Sequence, residues 1–539
     1  MKDEKKTNSN LAAKKAAVPV KKTTASKADK PAAPKVAAVK KPAAKTSAPK
    51  VSSPKASSKA TTKAAFKKQV LFVGSEATPF AGTGGLAEVL GSLPKAINAL
   101  NSNVEASVVL PLYGEISDDV RAKLEFICHI NVPLAWRNQY CGLLKMSHDG
   151  VTIYFVDNEY YFKRASLYGC YDDAERFAFF SRAVCELIPY FTKKPDILHC
   201  HDWQTALVPI YYKLFYMYRS GFENIKTAFT IHNIEYQGKF GKNILEDVFG
   251  INLAEYHSLG HEGSINLVKA AMDYSDILST VSPSYAKELE DAFYAHGLEK
   301  VVTKNRNKMR GILNGVDVDS YNPETNFALF AKYSVKDKKN KAVNKAELQG
   351  LLNLPQKPDV PVVAIISRLV SHKGLDLIRF AIDDILKMNM QLVVLGTGEP
   401  GFEDFFTTIA NIVKEKCATH IGFNRDLAHK VYAGADIFLM PSKSEPCGLS
   451  QMMACRYGTV PIVRATGGLK DSIIDCEKGE QGNGFVFSDY DAGQMIHALS
   501  RAVGLYKDYP KQWEALVTRC MLSDFSWKAS AKEYVKLYE

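Results

Sequence analysis

Two cations stand five residues apart where an apolar segment gives way to a predicted helix. Arg368 and Lys373 follow the buried run Val362–Ile366 and precede Gly374. Arginine binds an anion as a planar fork and lysine as a compact point charge, so the two side chains can grip one diphosphate. Solvated loop charges would give the same local pattern. The pair alone therefore leaves a phosphate site and an ordinary surface loop both open.

A carboxylate stands just past another apolar run, at the entry of a helix. Glu445 follows residues 437–440 and precedes Cys447, Gly448 and Leu449. A carboxylate there can accept hydrogen bonds from sugar hydroxyls, or it can serve only as a favourable acid near a helix N-terminus. Both interpretations stand at this level.

Histidines end two successive apolar runs. His201 is followed by Asp202 and Trp203, and His232 by Asn233. Such clusters can supply a catalytic base or a sugar platform, whereas a metal site would need further ligands. One strand-end histidine is often a satisfied core group, but two on adjacent strands favour a functional role.

Two glycine turns of similar sequence open predicted helices, one in each half of the chain. The first is Gly82-Thr83-Gly84-Gly85 and the second Thr466-Gly467-Gly468. A helix start offers free N–H groups and the positive end of the helix dipole, which suit a phosphate. The two turns could face each other across a cleft, or both could be tight structural turns.

Neither of two fingerprint-like glycine patterns fits a dinucleotide site. In residues 396–401, Pro400 interrupts the loop, and the pattern at 82–87 begins nine residues after its strand ends. The fingerprint requires its first glycine at the strand–helix turn. The ten cysteines form no CxxC pair, which argues against structural zinc. We therefore expect no cofactor and no metal.

Apolar runs bounded by turn residues predict buried parallel strands in two series. They lie at residues 70–73, 108–110, 197–199, 227–231 and 277–281, and then at 362–366, 391–395, 437–440 and 460–463. Helical segments such as 375–382 lie between them. This alternation predicts an α/β fold of two doubly wound, Rossmann-like domains, with ligands in the cleft at the strand C-termini. We place the domains at 69–312 and 313–508, followed by a helical C-terminus at 509–539.

The first 68 residues have a different composition. They hold 19 lysines and three acids, a charge of +16, so the rest of the chain carries −5 of the total of +11. So few apolar residues cannot offset the entropy of ordering, which predicts a disordered Lys/Ala/Pro-rich tail at 1–68. The tail can be a solvated spacer, a weak ligand for polyanions such as nucleic acid, or a plastid transit peptide. Without an apolar signal or spanning segment, we expect a cytoplasmic protein that binds no membrane.

Taken in order, these segments resemble the bacterial glycogen synthase and plant starch synthase family, which are retaining glucosyltransferases of the GT-B fold. The matching stretches run from Val70 to about Tyr538. They are residues 74–79, 83–86, 132–140, 201–204, 231–238, 280–283, 313–317, 367–369, 373–376, 445–449, 456–459, 464–469 and 524–527.

The resemblance implies transfer of glucose from ADP-glucose to the non-reducing end of an α-1,4-glucan such as glycogen. By the same resemblance, Arg368 and Lys373 bind the donor diphosphate, Glu445 holds the glucose hydroxyls, and His201 lines the glucose site. Other donor contacts would come from Gly82, Thr83, Gly84, Gly85, Cys447, Gly448, Leu449, Thr466, Gly467 and Gly468. The first domain would take the acceptor and the second the nucleotide sugar, with the C-terminal helix crossing back to the first domain.

The sequence departs from the family at the first glycine turn. Gly82 occupies the position of a lysine that contacts the donor, and Glu88 the position of an aspartate. Residues 259–266 also depart from the usual pattern. An alternative to an active synthase is therefore a catalytically weakened glucan-binding or regulatory paralogue.

Deleting residues 1–66 tests the tail. We expect glucan synthesis and the melting temperature to stay unchanged, because the predicted tail buries almost no apolar surface. Any affinity for nucleic acid, measured by salt titration, should disappear with it. An equally tight, salt-sensitive complex of the truncated protein would contradict this assignment of charge.

Overall fold

A computed structural model describes residues 67–539 of this protein. The predicted tail falls on residues that lie outside this range, except for Lys67 and Lys68. Lys68, placed last in the tail by the sequence, is the first residue of strand β1. No helix in the described range is long and apolar enough to cross a bilayer.

The first half of the chain carries twelve strands among its described residues. They are β1 (Lys68–Val73), β2 (Val104–Pro111), β3 (Glu125–Leu134), β4 (Arg137–His148), β5 (Val151–Asp157), β6 (Ile197–His201), β7 (Lys226–Ile231), β8 (Lys239–Phe240), β9 (Gly260–His261), β10 (Ser264–Asn266), β11 (Ile277–Thr280) and β12 (Met309–Gly311). Nine of them form one sheet in the order β12-β11-β7-β6-β1-β2-β5-β4-β3, and β8, β10 and β9 form a small one. Neighbours in the large sheet are parallel except β3–β4 and β4–β5.

Helices cover both faces of this sheet, as parallel strands buried on both sides require. They are α1 (Gly85–Ala99), α2 (Asp118–Arg121), α3 (Glu159–Phe162), α4 (Asp173–Glu186), α5 (Leu207–Tyr211), α6 (Ile244–Asp247), α7 (Tyr256–Leu259), α8 (Leu267–Tyr274), α9 (Pro283–Glu288), α10 (Ala292–Ala295) and α11 (Glu299–Asn305).

The second half forms a six-stranded, all-parallel sheet. Its strands are β13 (Val362–Ile366), β14 (Gln391–Gly396), β15 (Cys417–Ile421), β16 (Ile437–Met440), β17 (Val460–Arg464) and β18 (Phe485–Phe487), in the order β15-β14-β13-β16-β17-β18. The helices are α12 (Lys339–Leu351), α13 (Leu375–Phe380), α14 (Ile382–Lys387), α15 (Pro400–Ile412), α16 (Arg425–Gly434), α17 (Ser450–Arg456), α18 (Gly467–Ser472), α19 (Ala492–Asp508), α20 (Pro510–Leu522) and α21 (Trp527–Tyr538). The predicted two-sheet α/β architecture is confirmed.

Apolar runs located the central strands well but missed the β3–β4 hairpin. The run at 362–366 is β13 without change, whereas β3, at the sheet edge, alternates polar and apolar residues in its second half, and its neighbour β4 is polar at both ends. An antiparallel edge pair needs one buried face only, so it lacks a continuous apolar run.

The two C-terminal helices pack on different parts of the molecule. Helix α20 contacts α17 and α19 beside the second sheet, and α21 packs on α1 beside the first. Lys68 Nζ donates a hydrogen bond to the carbonyl oxygen of Tyr538 at 2.6 Å. The end of the last helix is thereby joined to the start of the first strand.

Helices α9 and α18 join the two halves by capping each other. The Glu288 carboxylate accepts hydrogen bonds from the Gly467 N–H at 2.8 Å and the Thr466 hydroxyl at 3.1 Å. In return, the Asp471 carboxylate accepts from the N–H and hydroxyl of Ser284, both at 2.7 Å. Each acid thus satisfies backbone donors at the start of the other helix, which are otherwise unpaired.

We expect Glu288→Ala to destabilise the fold by about 1–2 kcal/mol, because it removes charge-assisted hydrogen bonds from partly buried donors. The midpoint of thermal melting should fall. Glu290→Ala is the matched control, since Glu290 is an exposed acid just beyond the same helix with no side-chain partner in the described range. Equal melting of both variants and the parent would show that the capping contributes nothing.

Candidate functional site

A cleft of about 2220 Å³ opens at the carboxyl ends of the strands of both large sheets. Asp202 and His232 reach it from the ends of β6 and β7, and Arg368 and Thr397 from those of β13 and β14. This is the position in which doubly wound folds bind ligands. No group of three or more His, Cys, Asp or Glu side chains in residues 67–539 is arranged to hold a metal.

The two predicted diphosphate ligands both line the cleft but differ in their surroundings. Lys373 Nζ lies 2.7 Å from Glu445 Oε2, and the two side chains are only 14% and 9% exposed. Arg368 is exposed, and its guanidinium pairs with no side chain or backbone group of residues 67–539. One cation is thus held by a carboxylate, while the other is available to an anion.

The segment that carries Glu445 is held in place by hydrogen bonds on the side that faces away from the cleft. Glu445 Oε2 also accepts a hydrogen bond from Ser442 at 3.0 Å, and the Ser282 hydroxyl donates to the Pro446 carbonyl oxygen at 2.7 Å. The N–H groups of Cys447, Gly448 and Leu449 donate to no acceptor among the described residues, and all three residues line the cleft. Gly448 has a φ of +70°. This segment can therefore offer backbone donors to a ligand.

The second glycine turn does not reach the cleft, contrary to the prediction for Thr466, Gly467 and Gly468. All three are buried. Their donors are taken by protein acceptors, since the Gly468 N–H bonds to the carbonyl oxygens of Glu445 and Pro446 at 3.2 Å, and Glu288 takes the Thr466 and Gly467 donors. A Cβ on Gly467 would lie 2.1 Å from the Glu445 carbonyl oxygen. The turn is glycine-rich because it packs against the backbone beneath the site.

The first glycine turn does face the cleft. Residues 82–85 are exposed, and the Glu76 carboxylate accepts from the N–H and hydroxyl of Thr83 at 2.6 and 3.0 Å. Burial raises the pKa of Glu76 and these hydrogen bonds oppose the rise. A Cβ on Gly84 or Gly85 would touch nothing within 4 Å, so the start of the fifteen-residue helix α1 is open to a ligand.

His201 does not line the cleft, and this prediction is corrected. It is fully buried behind His232, whose Nε2 lies 2.9 Å from His201 Nδ1. His232 is the histidine on the cleft wall. Desolvation lowers its pKa to about 3, so it is neutral at physiological pH. The strand-end position of His232 was the available signal, but the sequence could not rank the two histidines.

Asp202 supports this wall from the end of β6. Its carboxylate accepts a hydrogen bond from the His232 N–H at 2.7 Å, and its own backbone has a φ of +56°. Burial raises the pKa of Asp202 to about 7, against hydrogen bonds from the backbones of His232 and Asn233. A non-glycine residue in this conformation is held there by its surroundings.

An exposed aromatic ring lies on the opposite wall, which sequence reasoning did not select. Phe423, just past β15, is 91% exposed and lines the cleft beside Arg425. An exposed ring of this size on the wall of a cleft is a stacking surface for a planar ligand.

Comparison with known proteins gives consistent matches along the chain. A model described as starch synthase catalytic domain matches residues 69–304, and one described as glycosyl transferases group 1 matches residues 353–514. Glycogen synthase from Geobacillus thermodenitrificans is 45% identical over 475 residues, covering 87% of this chain and 97% of that protein. Glycogen synthase from Desulforamulus reducens is 46% identical, with 87% and 98% covered.

Among solved structures, the chain is similar to the catalytic domain of starch synthase IV from Arabidopsis thaliana bound to ADP and acarbose. The identity is 35% and the TM-score 0.80, with 88% of this chain and 99% of that chain covered. Sucrose-phosphate synthase from Thermosynechococcus elongatus shares the fold at 16% identity and a TM-score of 0.55.

Gly82→Lys tests whether a cation at the first turn improves donor binding. The backbone of Gly82 does not need glycine for its φ, but a Cβ there would lie 2.5 Å from the Ala87 Cβ, so the turn must shift. Gly82→Ala has the same clash without the charge and is the matched control. A charge-assisted contact of about 1.5–3 kcal/mol would lower the KM for ADP-glucose roughly tenfold or more relative to Gly82→Ala. Equal KM values for the two variants would mean that the lysine reaches no donor atom.

Proposed function

This chain belongs to the glycogen and starch synthase family, and we propose that it transfers glucose from ADP-glucose to the non-reducing end of an α-1,4-glucan with retention of configuration. The observation that carries the proposal is the convergence of Arg368, Lys373 and Glu445 at the carboxyl end of the second sheet. They face the open start of α1 and the neutral His232 on the other wall. The cleft has room for a nucleotide sugar and several glucosyl units of an acceptor.

In this proposal Arg368 and Lys373 bind the diphosphate of the donor. The bond between glucose C1 and the diphosphate oxygen breaks, and negative charge grows on the departing ADP. Cations that contact that oxygen stabilise the transition state more than the ground state, because its negative charge is greater there. The acceptor hydroxyl attacks C1 from the same face and passes its proton to the departing phosphate, so no second carboxylate is needed as a nucleophile.

Glu445 and the backbone donors of residues 447–449 would hold the glucose. The ion pair between Lys373 and Glu445 balances the charges of these two buried side chains before the donor binds. A bound diphosphate would pair with Lys373 in place of Glu445. The carboxylate oxygens of Glu445 could then accept hydrogen bonds from the glucose hydroxyls. Phe423 offers the adenine ring a stacking surface at the far end of the cleft.

We also propose that the enzyme acts in the cytoplasm. All ten cysteines lie in the described range and are free thiols, which fits a reducing compartment. No observation on residues 67–539 favours the alternative of a weakened paralogue, because the predicted cations and Glu445 are assembled in the cleft.

Arg368→Ala should separate catalysis from folding. We expect turnover to fall by about a hundredfold or more, roughly 3 kcal/mol in the transition state, because a charge aimed at the leaving group is lost. The melting temperature should not change, since the guanidinium has no hydrogen bond or ion pair with residues 67–539 to lose. ADP release from ADP-glucose with glycogen as acceptor measures the rate.

Lys373→Ala should lower both turnover and stability, because it leaves the Glu445 carboxylate buried without its cation. Lys387→Ala is the control for both variants, as that lysine is an exposed residue at the end of α14 and, among the described residues, pairs only with Asp384. Activity of Arg368→Ala within a few-fold of the parent would refute the diphosphate assignment.

A further inference from the structure

Three histidine rings, each tilted against the next, follow one another from the cleft wall into the first sheet, and we call them the histidine stack. The ring centroids of His199 and His201 are 4.3 Å apart, and those of His201 and His232 are 5.2 Å apart. Only His232 touches the cleft, while the other two are fully buried. The stack therefore connects a group that faces the ligand to the interior of the domain.

The inner end of the stack is pinned by the last helix. His199 Nδ1 lies 2.7 Å from the Tyr538 hydroxyl, and His199 Nε2 lies 2.6 Å from the Thr230 hydroxyl. Both of its ring nitrogens are thus satisfied without His201. Phe72 stacks on the His201 ring at 5.6 Å and 18°. His201 has little freedom to turn.

His201 has one hydrogen-bonding partner for its two ring nitrogens. Its Nδ1 lies 2.9 Å from His232 Nε2, whereas its Nε2 is buried and has no partner among the described residues. Nδ1 of His232 likewise has no hydrogen-bonding partner in residues 67–539, but this atom is not fully buried and His232 lines the cleft. The single short contact between the rings therefore controls which nitrogens carry hydrogen.

When two neutral imidazoles share one hydrogen bond, one ring donates its N–H and the other accepts. Two arrangements are therefore possible for His201 and His232. If His232 were the donor, His201 would carry its hydrogen on Nε2 and leave a buried N–H with no acceptor. Orphaned buried N–H groups are rarer in proteins than unsatisfied acceptors. If His201 donates from Nδ1, its Nε2 keeps a bare lone pair and His232 must carry its hydrogen on Nδ1.

We propose that His201 is a positioning residue whose Nδ1–H fixes His232 in the tautomer that presents Nδ1–H to the cleft. His232 then offers a hydrogen-bond donor, and never an acceptor, to an oxygen of the bound donor substrate. This inference rests on the proposed glucosyl transfer for its kinetic consequence, but not for the tautomer itself. The role differs from lining the glucose site, because His201 acts only through His232.

The tautomer is measured directly by long-range ¹⁵N–¹H correlation on protein labelled with ¹⁵N-histidine. The chain has twelve histidines, and the signals of His232 are identified as those that disappear in the His232→Gln variant. We expect His232 of the parent to carry its hydrogen on Nδ1. Hydrogen on Nε2 of His232 would overturn the proposal, whatever the activity of the variants.

Two substitutions at His201 test the kinetic consequence. His201→Phe removes the hydrogen-bond donor but keeps an aromatic ring. We expect kcat to fall tenfold or more, while the KM for ADP-glucose changes less than threefold. His232 should no longer be held as the Nδ1–H tautomer. His201→Asn places an amide N–H near the former Nδ1, and it should restore the tautomer and most of the rate. A His201→Phe protein that keeps both the tautomer and the rate would contradict the proposal.

His199→Phe is the matched control, because it disturbs a buried histidine of the same stack that makes no hydrogen bond to His232. It should lower the melting temperature while leaving the His232 tautomer unchanged and kcat within threefold. Loss of the tautomer in this variant would show that general packing, and not the His201 donor, controls His232. A parent protein with the expected tautomer but no glucan synthesis would refute the proposed function and leave the positioning role standing.

Discussion

The close approach of two backbone segments, Gly467–Gly468 beneath residues 445–447, fixes the geometry of the cleft. A Cβ on Gly468 would lie 2.1 Å from the Cys447 carbonyl oxygen, so only glycine permits this packing. The same turn begins α18, which Glu288 of the first half caps. The segment that carries Glu445 is therefore supported by both halves of the molecule. A shift of the α9–α18 contact would move the carboxylate relative to the first-sheet wall.

Charge is distributed unevenly between the two walls. Cations Arg368 and Lys373 lie on the side of the second sheet, where a departing diphosphate would need them. His199, His201 and His232 on the first-sheet side are neutral, because burial lowers the pKa of each. A neutral His232 can orient a sugar by a hydrogen bond without competing for the phosphates. The buried ion pair on the cleft wall, between Lys373 and Glu445, joins groups that the proposal assigns to different parts of the same substrate.

The local sequence was sufficient to predict those features that depend on residues close together along the chain. Arg368 and Lys373 follow one strand, so their joint presence in the cleft was predictable from the fold rule that strand C-termini carry the site. The central strands were equally clear, because a strand buried on both faces must be a continuous apolar run. The β3–β4 hairpin was not predicted, because an edge pair has only one covered face and therefore shows no continuous apolar run.

The order of residues along the chain was enough to predict the fold class, the two-sheet division of the described residues and the cations of the cleft. Tertiary structure decided which of two similar patterns faces the ligand. His201 and His232 both end strands, yet Phe72 of β1 stacks on the buried ring of the first, while the second lies on the cleft wall. Gly84 and Gly467 both begin helices, yet the Glu445 segment covers only the second. Residue types record what a position can do, whereas its neighbours in space, brought from distant parts of the chain, decide whether a ligand can reach it.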